Sequence, residues 1–119
     1  MTESPLMIKS KEFSLNVIKA CKELRNAKCE GALINQFLRS GTSIGANIRE
    51  AFYAHGKADF IAKLHIALKE TAETEYWLRL LIMSEYITAD MGKSLLEDCL
   101  EIKRILIASI NTAKSCSKS

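Results

Sequence analysis

The sequence is poor in the residues that interrupt regular structure. Its 119 residues include one proline and five glycines. A many-stranded all-β domain needs a turn about every 8–12 residues, and turns are rich in glycine and proline. The composition therefore excludes an all-β fold and is typical of a helical domain.

Long apolar runs are also missing. The longest uninterrupted runs contain only a few residues, whereas a membrane-spanning helix needs about 20. Residues 1–5 contain no basic residue and lead into no long apolar stretch, so no signal peptide is predicted. We expect a cytoplasmic protein that does not bind membranes.

No pair of cysteines follows the C-x-x-C spacing of redox and zinc motifs. Cys21, Cys29 and Cys99 fall within helical patterns, where a thiol serves as a small apolar side chain, and Cys116 lies near the end of the sequence. We predict four reduced thiols, as is usual in the cytoplasm.

Apolar residues recur every three or four positions in four segments, which is the spacing of amphipathic helices. The predicted helices cover about residues 10–28, 32–54, 57–86 and 89–113, with frayed ends at 1–8 and 114–119. Ser10, or alternatively Ser4 before Pro5, is the candidate N-cap of the first helix, and Thr88 is that of the fourth. Short loops make successive helices antiparallel. The predicted fold is all-α, a single up-down-up-down four-helix bundle.

The second segment carries the most regular apolar stripe. The stripe continues for five turns and consists of Ile34, Phe37, Leu38, Gly41, Ile44, Gly45, Ile48, Ala51 and Phe52. An interior glycine costs a helix about 1 kcal/mol relative to alanine. We expect Gly41 and Gly45 to offset this cost by allowing a neighbouring helix to approach closely.

The third and fourth segments carry more apolar surface than one helix face can bury. Apolar residues lie on two faces of the third segment, and in the fourth a second stripe of Leu96, Leu100 and Ile107 flanks the first. A four-helix monomer leaves this surplus exposed, and self-association would bury it. We therefore expect a homo-oligomer.

Two patterns that suggest enzymatic chemistry do not fit their context. Gly41–Gly45 matches the G-x-S-x-G pattern of hydrolases, but that motif requires a strand before its serine, and here Ser43 lies within the strongest helical pattern. His55 and His65 are ten residues apart and belong to no E-x-x-H pair of the kind used by di-iron bundles. We predict a protein that is not an enzyme and has no metal, cofactor or small-molecule substrate.

A polar stripe runs beside the apolar stripe of the second segment. It consists of Ser40, Ser43, Asn47 and Glu50. The stripe is either a solvated face or a hydrogen-bonded seam against the third helix. Buried charges in such a seam must be paired, for instance Glu50 or Glu75 with an arginine at position 39 or 49. The sequence leaves both alternatives open.

Basic residues are concentrated in the first segment. Residues 8–29 contain six basic and two acidic residues, a net charge of +4, whereas residues 57–86 contain four basic and five acidic residues, a net charge of −1. This segment is either an ordinary solvated face or a phosphate-binding surface, whose potential would grow in an oligomer. Few aromatic residues interleave with the lysines, so we expect phosphate contacts with little sequence specificity.

Two blocks of sequence resemble a known family. The blocks are LRSGTSIGANIREA at residues 38–51, and KADFI with IALKETAETEYWL at residues 57–61 and 66–78. They are similar to the hallmark of bacterial four-helix bundle proteins that are encoded in intervening sequences of 23S rRNA genes and are often labelled ribosomal. The resemblance covers residues from about 10 to 110.

This resemblance implies a four-helix unit that assembles into a homopentamer. It implies helix-packing roles for Gly41, Gly45 and Ala46, and it places Arg39 and Arg49 at basic positions of the family pattern. Relatives include the accessory variability proteins of diversity-generating retroelements, pentamers that bind nucleic acid and a reverse transcriptase.

Charge and resemblance together predict a non-enzymatic, oligomeric protein that binds RNA or DNA through its phosphates. The candidate nucleic-acid-binding residues are Lys11, Lys19, Lys22, Arg25, Lys28, Arg39 and Arg49. The alternative is a structural or adaptor oligomer that docks a protein partner, such as a reverse transcriptase, through a helical face without binding nucleic acid.

Overall fold

The computed structural model describes residues 3–116, and its four helices form an antiparallel bundle. The helices are α1 (Pro5–Asn26), α2 (Gly31–Phe52), α3 (Lys57–Met83) and α4 (Ala89–Cys116). Each helix packs on the next, and α4 also packs on α1, so α1 and α3 lie diagonally opposite each other. The molecule measures 52 × 23 × 22 Å. The predicted all-α bundle is confirmed.

The first helix begins earlier than the periodicity predicted. Ser4 is its N-cap, because the Ser4 Oγ accepts a hydrogen bond of 3.1 Å from the backbone N–H of Met7, and Pro5 occupies the first turn. Ser10 instead lies buried inside the helix and donates its hydroxyl to the Met7 carbonyl. The predicted start at Ser10 is therefore wrong. Residues 5–8 of the segment predicted to be frayed belong to α1, where the buried Leu6 extends the apolar stripe by one turn.

The last helix also departs from its predicted limits. Thr88 caps α4, with its Oγ1 accepting a hydrogen bond of 3.3 Å from the Met91 N–H. The helix then continues to Cys116 instead of ending at residue 113. Residues 117–119 of the predicted frayed tail, like residues 1 and 2, lie outside the described residues.

Two helices end in the same hydrogen-bonded motif. At the end of α1, the Cys29 N–H bonds to the Leu24 carbonyl and the Lys28 N–H to the Arg25 carbonyl, which is the Schellman pattern. Lys28 has a φ of 60°, and the equivalent residue after α3, Glu85, has a φ of 64°. Glycine usually occupies this left-handed position, so the sequence pattern did not reveal these ends, and α1 and α3 stop two to three residues before their predicted limits.

The helices α1 and α2 approach each other closely at Gly41. A Cβ atom at Gly41 would lie 3.0 Å from both Cγ atoms of Val17, which is completely buried. At Gly45 a Cβ atom would meet the Ser14 Oγ at 3.4 Å, an ordinary contact distance. Ala46, by contrast, is exposed, so the close-packing role predicted for it does not hold within the chain.

The exposed apolar side chains are distributed differently from the prediction. On α4 the large exposed apolar residue is Ile107, while Leu96 and Leu100 are half-buried. The helix α1 exposes as many as α3 does: the two sets are Ile8, Leu15 and Ile18 on α1, and Ile66, Tyr76 and Met83 on α3. The expected surplus on α4 is therefore largely covered within the chain, whereas α1 carries a surplus that the sequence analysis missed.

Within residues 3–116, no helix has an apolar stretch long enough to cross a membrane. The same part of the chain contains no group of three or more histidine, cysteine, aspartate or glutamate side chains arranged to hold a metal ion.

Candidate nucleic-acid interface

The seven predicted nucleic-acid-binding residues fall into three separate places. The C-terminal half of α1 carries three of them, and Lys28 lies in the loop 27–30 that follows, at the same end of the bundle. Lys11 and Arg49 lie towards the opposite end, where α1 begins and α2 ends, because the two helices are antiparallel. Arg39 lies between, on the side of α2 that faces α3.

The group on α1 forms what we call the α1 cationic surface, which consists of Lys19, Lys22, Arg25 and Lys28. All four side chains are exposed, and within residues 3–116 no carboxylate lies within 4.0 Å of their charged groups. The buried residues of the same stretch of helix face the core and turn these cations outward. At a rise of about 1.5 Å per residue, Lys19, Lys22 and Arg25 span about 9 Å along the helix axis, and Lys28 follows in the turn after α1.

Basic residues in the first half of α1 form ion pairs with neighbouring carboxylates. Lys9 lies 2.6 Å from Glu101 on α4, and Lys11 lies 2.9 Å from Glu3. The hydrogen bond between Lys9 and Glu101 raises the pKa of the lysine and lowers the pKa of the carboxylate. The basic residues of the first segment that lack an ion-pair partner therefore lie mainly in the second half of α1.

Arg39 belongs to an ion-pair network between α2 and α3. Its guanidinium lies 2.9 Å from the Glu70 carboxylate and also donates to the Glu73 carboxylate. Trp77 Nε1 donates to Glu73 at 3.2 Å, and this bond, together with Arg39, lowers the pKa of Glu73. Two carboxylates of its own chain meet the charge of Arg39, whose side chain is half-exposed, so its role in phosphate binding stays a prediction.

The remaining carboxylates of the predicted polar seam have other partners than those expected. Glu50 pairs with Lys63 at 3.1 Å, and Glu75 pairs with Arg79 at 2.9 Å and Lys103 at 3.2 Å. Neither carboxylate pairs with an arginine of α2, so those suggested pairs are wrong.

The hydroxyls of the polar stripe are used within α2 itself. Ser43 donates its Oγ to the Arg39 carbonyl at 2.6 Å, and Asn47 donates to the Ser43 carbonyl at 2.9 Å. Ser40 is completely buried, whereas Glu50 is exposed, so the stripe passes from a buried seam to a solvated face along the helix. The G-x-S-x-G pattern lies wholly within α2, which is not the geometry of a nucleophile elbow.

A groove lies between the start of α1 and the end of α2, and we call it the α1–α2 groove. Its wider part has a volume of about 420 Å³ and adjoins a hollow of about 220 Å³. Both parts are lined by Glu3, Met7, Lys11 and Arg49. The wider part is bounded in addition by Ser4, Phe52 and Tyr53, and the hollow by Ser10, Ser14, Gly45 and Ala46.

An arginine and an aromatic ring meet at the rim of this groove. The guanidinium carbon of Arg49 lies 5.4 Å from the centroid of the Tyr53 ring, within the range of a cation–π contact. The sequence analysis missed Tyr53 because it is not part of the apolar stripe. The spacing of four residues between Arg49 and Tyr53, which places two side chains side by side on a helix, was the available signal.

Comparison with known proteins identifies the family. The model of the 23S rRNA-intervening sequence protein family matches residues 3–108. A crystal structure of a protein of unknown function from the S23 ribosomal protein family of Bacteroides thetaiotaomicron is 52% identical, with a TM-score of 0.85, and the alignment covers 88% of this chain and 97% of that one. A search of curated proteins found no match. The chain therefore belongs to the 23S rRNA-intervening sequence protein family.

Proposed function

We propose that this protein is a non-enzymatic homo-oligomer of the cytoplasm that binds the phosphates of RNA or DNA through the α1 cationic surface. The observation that carries the proposal is the absence of any carboxylate within 4.0 Å of four neighbouring cations, within residues 3–116. Glu23 lies in the same stretch of α1 but more than 4.0 Å from the charged groups of these cations, so it forms no ion pair with them.

The mechanism of binding is electrostatic. A cation that neutralises a phosphate releases condensed counterions, so affinity falls steeply as the salt concentration rises. The exposed aromatic residues lie at the end of α2, directly after it and on α3, away from the α1 cationic surface. Contacts at this surface therefore position the backbone of a nucleic acid and do not read its bases.

Self-association supports this mechanism because it places several α1 cationic surfaces in one particle. The exposed apolar residues of α1 and α3 lie on diagonally opposite sides of the bundle. A contact that buries the exposed apolar residues of α3 leaves the α1 cationic surface open, whereas one that buries Leu15 and Ile18 would cover Lys19 and Lys22, which lie four residues further along the same face of α1. The family resemblance favours five subunits, and light scattering of the purified protein measures the number directly.

The test compares charge reversal on the α1 cationic surface with charge reversal elsewhere. The test variant is Lys19→Glu, Lys22→Glu and Arg25→Glu, and the control is Lys57→Glu, Lys69→Glu and Arg104→Glu on α3 and α4. Both variants change the net charge by the same amount. Binding of an RNA hairpin is measured by fluorescence anisotropy as a function of KCl concentration.

We expect the test variant to lose most of its affinity, with a slope of log K against log salt that is smaller by about 0.9 for each phosphate contact removed. The control should retain the slope of the wild-type protein. Equal losses in both variants, or no binding by the wild-type protein at low ionic strength, would refute the proposal.

A protein-docking adaptor is the second candidate function. The observation that favours it is the exposure of Tyr76 and Met83 on α3, with 57% and 79% of their surface open to solvent. A partner such as a reverse transcriptase would bind this helical face. Replacing both residues by serine would then abolish partner binding, whereas the charge-reversal variant of the α1 cationic surface would retain it.

A further inference from the structure

We propose that the α1–α2 groove binds one unpaired nucleotide, with its base on the Arg49–Tyr53 pair and its phosphate at Lys11 and Arg49. This inference rests on the proposed nucleic-acid binding and extends it. The groove would add a preference for single strands, which a purely electrostatic surface lacks.

The first argument is the aromatic platform. Tyr53 follows the last turn of α2 and is 62% exposed, and Arg49 lies over its ring. The neighbouring Phe52 packs edge-on against Phe60 of α3 at a centroid distance of 5.5 Å, which anchors the turn that carries Tyr53. Aromatic rings and guanidinium planes are the groups on which proteins stack unpaired bases.

The second argument is charge. Within residues 3–116, no carboxylate lies within 4.0 Å of the Arg49 guanidinium. Lys11 shares its charge with Glu3 in an ion pair whose two ends are exposed, which makes the pair weak and replaceable. Lys11, Arg49 and Glu3 together carry a net charge of +1, which matches a single phosphate. Glu3 therefore competes with the phosphate for Lys11.

The third argument is shape. A volume of about 420 Å³ lies within the usual range of about 300–1,000 Å³ for small-ligand sites. The adjoining hollow is open because Gly45 and Ala46 place no large side chain there. The bases of a duplex are stacked inside it and cannot reach such a platform, so the geometry selects an unpaired base.

The experiment uses the full-length protein and three labelled RNAs with the same number of phosphates: a single strand, the same strand with abasic residues, and a hairpin whose loop residues are abasic. Tyr53→Ala should weaken single-strand binding about 5- to 150-fold, the range expected for loss of one stacked base, and Tyr53→Phe should bind like the wild-type protein. Arg49→Gln should weaken single-strand binding, and Glu3→Gln should strengthen it. His65→Ala, which removes an exposed ring of α3 outside the groove, is the matched control and should have no effect.

The hairpin separates this inference from the proposed function. Hairpin binding depends on the α1 cationic surface and should be unchanged in Tyr53→Ala. If the wild-type protein binds the abasic and intact strands equally, or if Tyr53→Ala binds the single strand normally, the groove inference is overturned while the proposed function stands. A change in the molar mass of Tyr53→Ala by light scattering would show that the groove is an interface between copies, and it would also overturn the inference.

Discussion

Arg39 on α2 and Glu70 on α3 form an ion pair of 2.9 Å in which only 12% of the Glu70 side chain is exposed, while the Arg39 side chain is half-exposed. The same guanidinium contacts Glu73, so one side chain neutralises two carboxylates of the neighbouring helix. An arginine of the family motif thus joins two helices at the middle of the bundle.

Removing Arg39 should destabilise the protein, because it leaves the Glu70 carboxylate buried without its partner. We expect Arg39→Ala to lower the free energy of unfolding by about 1–3 kcal/mol in urea denaturation. Arg104→Ala, at an exposed position of α4, should change it by less than about 0.5 kcal/mol. Replacing Glu70 by Leu in the Arg39→Ala background should recover part of the loss, and a further loss in this double variant would contradict the assignment.

Acid should destabilise the protein through Glu73 and Glu75. The pKa of Glu73 is lowered by the hydrogen bond from Trp77 and by Arg39. Burial opposes ionisation of Glu75, but the hydrogen bonds from Arg79 and Lys103 outweigh it, so the pKa of Glu75 is also lowered from its ordinary value of 4.5. Groups with a lowered pKa in the folded state stabilise it above their unfolded pKa and lose this effect as the pH falls through the folded pKa.

The melting temperature, followed by circular dichroism, should therefore vary little from pH 7 to about pH 5 and should fall below about pH 4.5. Glu75→Gln should be less stable than the wild-type protein at pH 7 and should show a smaller fall in acid. An unchanged acid dependence in this variant would show that Glu75 contributes nothing to it.

The two glycines of α2 should respond differently to alanine. Gly41→Ala places a methyl group 3.0 Å from both Cγ atoms of Val17, whose β-branched side chain is buried and cannot easily move. Gly45→Ala makes only ordinary contacts and gains about 1 kcal/mol of helix propensity. We expect Gly41→Ala to be less stable than Gly45→Ala by about 1–3 kcal/mol in urea denaturation. If Val17→Ala does not lessen this difference when it is combined with Gly41→Ala, the clash is not its cause.

Lys28→Gly should stabilise the protein, because Lys28 has a φ of 60° in the turn after α1. A left-handed conformation costs an ordinary residue about 1 kcal/mol, and glycine avoids this cost. Lys22→Gly, inside the regular part of α1, should instead destabilise by about 1 kcal/mol. Thermal denaturation of the two variants compares the same substitution in two backbone conformations. Equal shifts in melting temperature would show that the left-handed conformation of Lys28 is not the cause.

The thiols should differ sharply in reactivity. Burial raises the pKa of Cys99 to about 12, and its Sγ lies 3.6 Å from the Thr71 carbonyl. Burial also raises the pKa of Cys21, whereas Cys116 is exposed. At pH 8 a thiol-specific reagent should modify Cys116 quickly and Cys99 only as fast as the protein unfolds. Cys116→Ser should abolish the fast phase, and rapid modification of Cys99 in the native protein would contradict its burial.

Several structural features were predictable because they depend on local periodicity. The long apolar stripe of the second segment revealed a helix with one buried face, and the scarcity of proline and glycine excluded a β-fold. The start of α1 at Pro5 and the turns at Lys28 and Glu85 were not predictable in this way. A serine cap and a left-handed lysine or glutamate leave no periodic signal.

The candidate interface was predictable only in part. The sequence showed that cations are concentrated in the first segment, but it did not show that Glu3 and Glu101 neutralise Lys11 and Lys9. Arg39 and Arg49 are the same residue type within one sequence motif, so the sequence does not distinguish their roles. In the structure one is held by two carboxylates and the other stacks on an exposed tyrosine.

The order of residues alone determined the helical class, the antiparallel arrangement and the excess of positive charge, because each follows from spacing or counting along the chain. Which cations are free to meet an anion was decided by the packing of α1 against α4 and of α2 against α3. An ion pair between residues far apart in the sequence forms only when their helices pack together. The spacing of residues along the chain does not give the distance between their side chains.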